Sequence, residues 1–291
     1  MELELLSKTN DKVFKELFTR NKSCMADFLK CVLEIPNDEF DYLEYVDTHT
    51  RVESELDGEY ILDICVHTKH NVIDVEIQVR RSPVIEQRIV VYLSNMVKDQ
   101  TASGVKYSDL KKNVSILIAA EHNLKDDDKY FHKYTLRDRD SNSEFTGLLE
   151  VDLLELRKLP KNEDNTQLWN WLEFIKTNSK EEMEKLADRN PEIKKAYNSL
   201  KSLSADGAMR HAAHQREMYI QNEMAINEEK YEQGKAEGRA EGMKKGRAEG
   251  LKEGKLREKI EIAKNLLKIG LSMEQISQAT GLSSEEIERL K

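Results

Sequence analysis

Two carboxylates and one amide stand at spacings that suit metal-assisted chemistry on a phosphate. Asp63 lies in Tyr60-Ile61-Leu62-Asp63-Ile64-Cys65-Val66-His67, and Glu76 and Gln78 lie in Val72-Ile73-Asp74-Val75-Glu76-Ile77-Gln78-Val79. Both runs are rich in Val and Ile and read as β-strands. Thr68-Lys69-His70-Asn71 is short enough to join them as a hairpin. If the loop is symmetric, residue i pairs with 139−i and Asp63 faces Glu76. Period 2 then puts Gln78 on the side of Glu76. Facing carboxylates repel across a ladder. A divalent cation between them removes that repulsion, because hard cations are held by carboxylate and carbonyl oxygens. A cation held so activates water against a phosphodiester. A slip of one residue breaks the pairing. The plainer alternative is an ordinary hairpin whose wet face carries Asp63, Asp74, Glu76 and Gln78.

The flanking segments supply a frame for that hairpin. Val13, Phe14, Leu17, Phe18, Met25, Phe28, Leu29, Val32 and Leu33 recur on a helical period, broken near Asn21-Lys22-Ser23, and predict two helices before Pro36. Residues 84–102 predict a third helix, with Ser82-Pro83 as N-cap and first-turn proline. The apolar run Asn113–Ala120 reads as a strand buried on both faces. Residues 130–136 and 148–156 add two strands. The order is an α/β domain on a mixed sheet. After Pro160 the pattern is helical only. Ser179 with Glu182 has capping-box spacing, and Asn190-Pro191 is an N-cap with proline at N1. Trp169, Trp171, Leu172 and Ile175 read as core side chains that pack this extension on the sheet.

Residues 231–258 are of low complexity, with glycine every fourth residue from Gly234 to Gly254. Each glycine costs about 1 kcal/mol against alanine inside a helix, so the segment reads as a marginal charged helix. It serves as a semi-flexible spacer or, alternatively, as a surface for close helix–helix approach. Ile262, Leu266 and Leu267 open a small helical tail. Ser272/Gln275 and Ser283/Glu286 are capping boxes there, and Gly281 separates two short helices. The arrangement resembles a helix-turn-helix, but Glu285, Glu286 and Glu288 make the second helix a poor fit to a DNA groove, which favours a packing or oligomerisation module. The domain reading is 1–160 core, 161–230 helical extension, 231–258 spacer and 259–291 tail.

Bulk properties narrow the class. The chain has 291 residues and a formal net charge of −9, with nine Lys or Arg against six Glu in residues 231–260. A uniformly basic nucleic-acid coat is excluded; a local basic cleft is not. Cys24, Cys31 and Cys65 form no CxxC and read as reduced thiols of a cytoplasmic protein. No signal-peptide pattern and no run of about 18 apolar residues is present, so no membrane is expected. His211 and His214 lack a third zinc ligand, and neither a Walker loop nor a GxSxG elbow occurs.

Asn10-Asp11-Lys12-Val13-Phe14-Lys15, Leu62-Asp63-Ile64, Val75-Glu76-Ile77-Gln78-Val79, Arg88-Ile89-Val90-Val91-Tyr92, Gly104-Val105-Lys106-Tyr107-Ser108-Asp109-Leu110-Lys111 and the Gly-Arg-Ala-Glu tail follow one another in that order. Together they resemble the PD-(D/E)XK nucleases known as recombination-promoting nucleases (Rpn) or transposases, over nearly the whole chain. The resemblance implies a restriction-endonuclease-like mixed sheet flanked by helices, with an all-helical C-terminal extension. It also implies Mg²⁺-dependent cutting of double-stranded DNA, with Mn²⁺ as a substitute, in recombination, transposition or phage defence. Asp63, Glu76 and the Ile77 carbonyl would hold the metal. Gln78 stands where the wider superfamily has Lys; a neutral amide orients by hydrogen bonds but supplies no charge. Lys15 is the candidate for the missing charge, or else a solvated helix lysine, and Asp11 is an accessory acid. Arg88 and Gln87 would contact phosphates or orient the acids, with Tyr92 on the helix face of Arg88. Cutting both strands needs two sites, which implies a homo-oligomer, a dimer. The competing reading is a catalytically silent DNA-binding or homo-oligomeric interaction protein on the same fold.

Overall fold

The computed structural model describes residues 3–46, 63–80, 82–162, 164 and 166–290. Residues 60–62, the start of the first expected hairpin strand, lie outside them. The chain divides into two compact units, Met1–Met218 and Tyr219–Lys291.

The first unit begins with α1 (Asp11–Thr19) and α2 (Lys22–Leu33). The side chain of Asn10 accepts from the amides of Lys12 and Val13, which satisfies two of the free donors at the α1 start. α2 stops at Glu34, whose left-handed backbone (φ 53°) turns the chain away. Six strands follow: β1 (Glu44–Val46), β2 (Ile64–His67), β3 (Asn71–Gln78), β4 (Lys112–Ala119), β5 (Phe131–Arg137) and β6 (Glu144–Glu155). Their spatial order is β1-β2-β3-β4-β6-β5. β3, β4 and β6 run parallel, and β1, β2 and β5 pair antiparallel at the edges.

The hairpin register is the expected one. Ile64 pairs Val75, Cys65 pairs Asp74, Val66 pairs Ile73 and His67 pairs Val72. The β3–β4 crossover is α3 (Ile85–Ala102). It starts one residue later than the expected 84, and its cap position is Val84 rather than Ser82: the Ser82 hydroxyl accepts from the Val84 amide at 3.4 Å and shapes the entry turn, and Val84 makes no side-chain cap bond.

Alternation along β3 and β4 sends their branched side chains to opposite layers. Ile73, Val75, Ile77, Val114, Ile116 and Ile118 join the large core with Phe14, Phe18, Phe28 and Trp171. Trp171 sits on α4 (Gln167–Lys176), is fully buried, and donates from Nε1 to Asp27 Oδ2 at 2.8 Å. That bond satisfies its one polar atom, and the role is core, as expected. α5 (Lys180–Arg189) and α6 (Pro191–Ala205) complete this layer, each capped by the expected Ser179 and Asn190 side chains. On the other face Val72, Leu117 and Ala119 pack under Ile85, Ile89, Tyr92, Leu93 and Met96 of α3.

α7 (Gly207–Lys268) is one continuous helix. Met209 and Ala213 near its start belong to the large core. In the second unit, residues 221–259 are exposed on every side, so the glycine-rich segment is helical without packed neighbours of its own. α8 (Met273–Thr280) and α9 (Ser284–Glu288) fold back on the end of α7 around Ala263, Ile276, Leu282 and Ile287. Both expected capping boxes form, and Gly281 adopts φ 71° between the two helices. The buried position is Ala263; Ile262 is exposed, because the helix turns its neighbour inward.

Candidate active site

Asp74 and Glu76 of β3 do not face water, while Gln78 at its end is part-exposed. Asp74 is 0 % and Glu76 2 % exposed, because α3 covers that side of the sheet. The wet-face reading of the hairpin is therefore wrong, and two carboxylates are held at spacing i, i+2 in a site most side chains avoid.

Each carboxylate has one committed and one open side. Glu76 Oε1 accepts from Gln78 Nε2 and from Arg88 Nη2, the latter at 3.0 Å. Glu76 Oε2 is buried with no hydrogen-bond partner. Asp74 Oδ2 accepts from the Ser115 hydroxyl at 3.1 Å, and Asp74 Oδ1 is buried without a partner. Asp63 stands one residue before the β2 ladder. Its Oδ2 accepts from the Ile77 amide at 3.1 Å, one residue beyond Glu76. In a strand the N–H and C=O of one residue point to the same side, so the Ile77 carbonyl opens toward Asp63 as well.

Burial and mutual repulsion set the protonation of this cluster. The Asp63 carboxyl is pushed up to about 7, first by burial and then by the Glu76 charge; the Ile77 amide opposes the shift. Burial raises Asp74 well above the carboxylate range, with Glu76 and Asp63 adding to it. Glu76 is raised by burial and held back by Arg88 and Gln78. Uncompensated acids in a dry site favour protons or cations.

The helices bring most of the remaining candidates close. Arg88 and Tyr92 lie one turn apart on α3, and Arg88 Nη2 donates to the Tyr92 hydroxyl at 2.7 Å. That bond fixes the guanidinium that reaches Glu76. Gln87, one residue away, is turned to solvent and does not join the cluster. From α1, Lys15 lowers and Asp11 raises the Asp63 carboxyl, so both lie within its field. Asp11 is already engaged: Arg216 Nε donates to its Oδ2 at 2.6 Å, and its Oδ1 caps the Lys12 amide. Asp74 and Ser115 are the parts of the cluster that the sequence did not announce. Asp74 shares the alternation of Glu76 and Gln78, a signal that could have found it; Ser115 belongs to β4 and had none.

Among the described residues no three His, Cys, Asp or Glu side chains cluster as a metal site. Asp63, Glu76 and one carbonyl form a smaller set. It fits Mg²⁺, which uses one or two carboxylates and keeps waters or substrate phosphates as its other ligands. The unpartnered Glu76 Oε2 is the observation that supports this fit.

The comparisons agree with the topology. Residues 8–229 match the PD-(D/E)XK nuclease family transposase, and residues 256–291 match the Rpn/YhgA-like nuclease family, C-terminal HTH domain. The chain belongs to the PD-(D/E)XK nuclease family of transposases, with a restriction-endonuclease-like α/β fold and a helical extension. The membership carries a nuclease-like or transposase function, and the tail a helix-turn-helix assignment. No curated protein and no solved structure matches. Among the described residues no helix is long and apolar enough to cross a membrane.

Proposed function

We propose that this protein is a metal-dependent endonuclease that hydrolyses phosphodiester bonds of double-stranded DNA, in recombination, transposition or phage defence. The observation that carries the reading is the bond from the Ile77 amide to Asp63 Oδ2, which sets Asp63 within the field of Glu76, whose Oε2 is buried without a partner. Asp63, Glu76 and the Ile77 carbonyl would hold Mg²⁺ or Mn²⁺, which supplies Lewis-acid stabilisation of phosphate charge and an acidified water. Gln78 and Arg88 both bind Glu76 Oε1, which leaves the buried Oε2 as the oxygen without a partner. Tyr92 holds Arg88 in place. Lys15, on the Asp63 side, supplies positive charge that Gln78 cannot. Cys24, Cys31 and Cys65 form no disulfide, which supports a reducing, cytoplasmic setting. Cleavage of an end-labelled duplex in Mn²⁺, abolished by EDTA and by Asp63→Ala in a folded chain, tests the reading.

The second unit supports a dimer. Residues 221–259 form a solitary exposed helix with six glycines in residues 231–258, whose cost of about 1 kcal/mol each has no packing to offset it. The glycines are flanked asymmetrically. The residue after each is Lys235, Arg239, Met243, Arg247, Leu251 or Lys255; the residue before is Gln233, Glu237, Glu241, Lys245, Glu249 or Glu253. One edge of the glycine ridge is therefore basic and the other mainly acidic. A two-fold axis along a parallel pair sets basic edge against acidic edge; an antiparallel pair would set like against like. Ridges of period four pack at a right-handed crossing, and glycine lets the backbones approach. A parallel homodimer follows, with its close contact at the glycine ridge.

A further inference from the structure

Arg80 stands two residues past Gln78, the last residue of β3; the residue is part-exposed, yet its Nε and Nη2 are covered and have no hydrogen-bond partner. A guanidinium stays charged at any working pH. Donors that are buried, charged and unsatisfied are among the rarest groups in a folded chain, and they survive where a ligand completes them. The location narrows the ligand. β3 and β4 run parallel, and the Ala120 amide donates to the Gln78 carbonyl at 2.9 Å where they end. Arg80 and His122 stand just past this carboxyl edge, with His122 Nδ1 3.4 Å from the Val79 carbonyl. Open sheets take ligands at that edge.

We propose that Arg80 is a phosphate-binding residue of this site, its guanidinium taking a DNA backbone phosphodiester that flanks the one beside Asp63 and Glu76. The fork of two parallel N–H donors matches two phosphate oxygens, and a phosphate supplies the acceptors that the protein withholds. The proposal rests on the nuclease reading for the identity of the ligand, while the unsatisfied guanidinium stands by itself. A structural arginine would have its donors paired and would weaken the fold when removed. Arg80 has neither donor paired at Nε or Nη2, so its removal should cost binding and spare stability.

The test uses the full chain, a fluorescein-labelled 30-base-pair duplex and Ca²⁺, a hard oxygen-seeking cation with looser geometry than Mg²⁺. Anisotropy titrations over a range of NaCl compare the wild type with Arg80→Gln and Arg80→Lys, beside urea unfolding of all three. The expected result is about tenfold weaker binding by Arg80→Gln, a salt slope shallower by about 1, an intermediate Arg80→Lys, and an unfolding midpoint no lower than wild type. Wild-type affinity and slope in Arg80→Gln would overturn this proposal alone, as would an affinity loss that merely follows a lowered unfolding midpoint. Absence of duplex binding by the folded wild type would overturn both this proposal and the nuclease reading.

Discussion

Arg88 on α3 and Glu76 on β3 form an ion pair of 3.0 Å that uses only one carboxylate oxygen, and the other oxygen is buried without a partner. A buried carboxylate that loses its cation keeps its desolvation cost. Arg88→Ala should therefore destabilise the metal-free protein by about 1–3 kcal/mol, and added Mn²⁺ should recover part of that loss. Urea unfolding at pH 8 in EDTA and in Mn²⁺ measures both. A loss that Mn²⁺ leaves unchanged argues against a cation at Glu76.

Asp63→Asn and Glu76→Gln should each lower cutting by more than about a hundredfold while the far-ultraviolet circular dichroism stays native. Removing charge from a crowded acid pair relieves repulsion, so neither should unfold more easily than wild type at pH 8. Loss of soluble fold in both variants would remove the catalytic assignment.

Metal binding should be pH-dependent near neutrality. Asp63 titrates at about 7 in the metal-free protein, and a ligand must lose its proton to bind. Mn²⁺ affinity should fall by up to about tenfold per pH unit below 7 and level off above it. Calorimetric titrations at pH 6 and pH 8 measure this; equal affinities would place the ion elsewhere.

A second buried acid supplies a stability test away from the site. Asp152 on β6 is fully buried and pushed up to about 7, by burial first, with the Lys133 ion pair at 3.4 Å opposing. Its folded pKa lies above the unfolded value of about 3.9. Its contribution is thus full below pH 4 and is lost as pH rises through 7. Asp152→Asn should flatten the decline of unfolding free energy between pH 5 and pH 8, a change on the order of a few kcal/mol. An unchanged slope would show that Asp152 ionises normally.

The glycine ridge makes opposite demands on a lone and a paired helix. A Cβ at Gly242 or Gly246 meets nothing within 4 Å in one chain, so Leu there should strengthen an isolated helix. In a parallel pair it should separate the backbones and yield monomer by sedimentation velocity. A Gly242→Leu, Gly246→Leu protein of wild-type size would contradict the pairing.

The hairpin was legible because its loop length and its alternating residues agree on one register, and because Val and Ile mark both strands. Short polar caps at Asn190, Ser272 and Ser283 were legible for the same local reason. What escaped is long-range. Nothing near Asp11 announces Arg216, 205 residues away, which takes its carboxylate. Burial of Asp74 depends on α3 lying over β3, so its charge looked solvated in the strand alone. Gln87 and Arg88 are neighbours in sequence, yet about 100° of helix rotation sends one to water and the other to Glu76.

Nicking of supercoiled plasmid tests whether Asp63 and Glu76 make one metal-dependent cutting site. Wild type, Asp63→Asn and Glu76→Gln are compared in Mg²⁺, Mn²⁺, Ca²⁺ and EDTA. The expected result is nicking by wild type in Mg²⁺ or Mn²⁺, none in EDTA, and none by either variant. A folded, metal-loaded wild type that leaves the plasmid intact, or variants that cut as well as wild type, would contradict it.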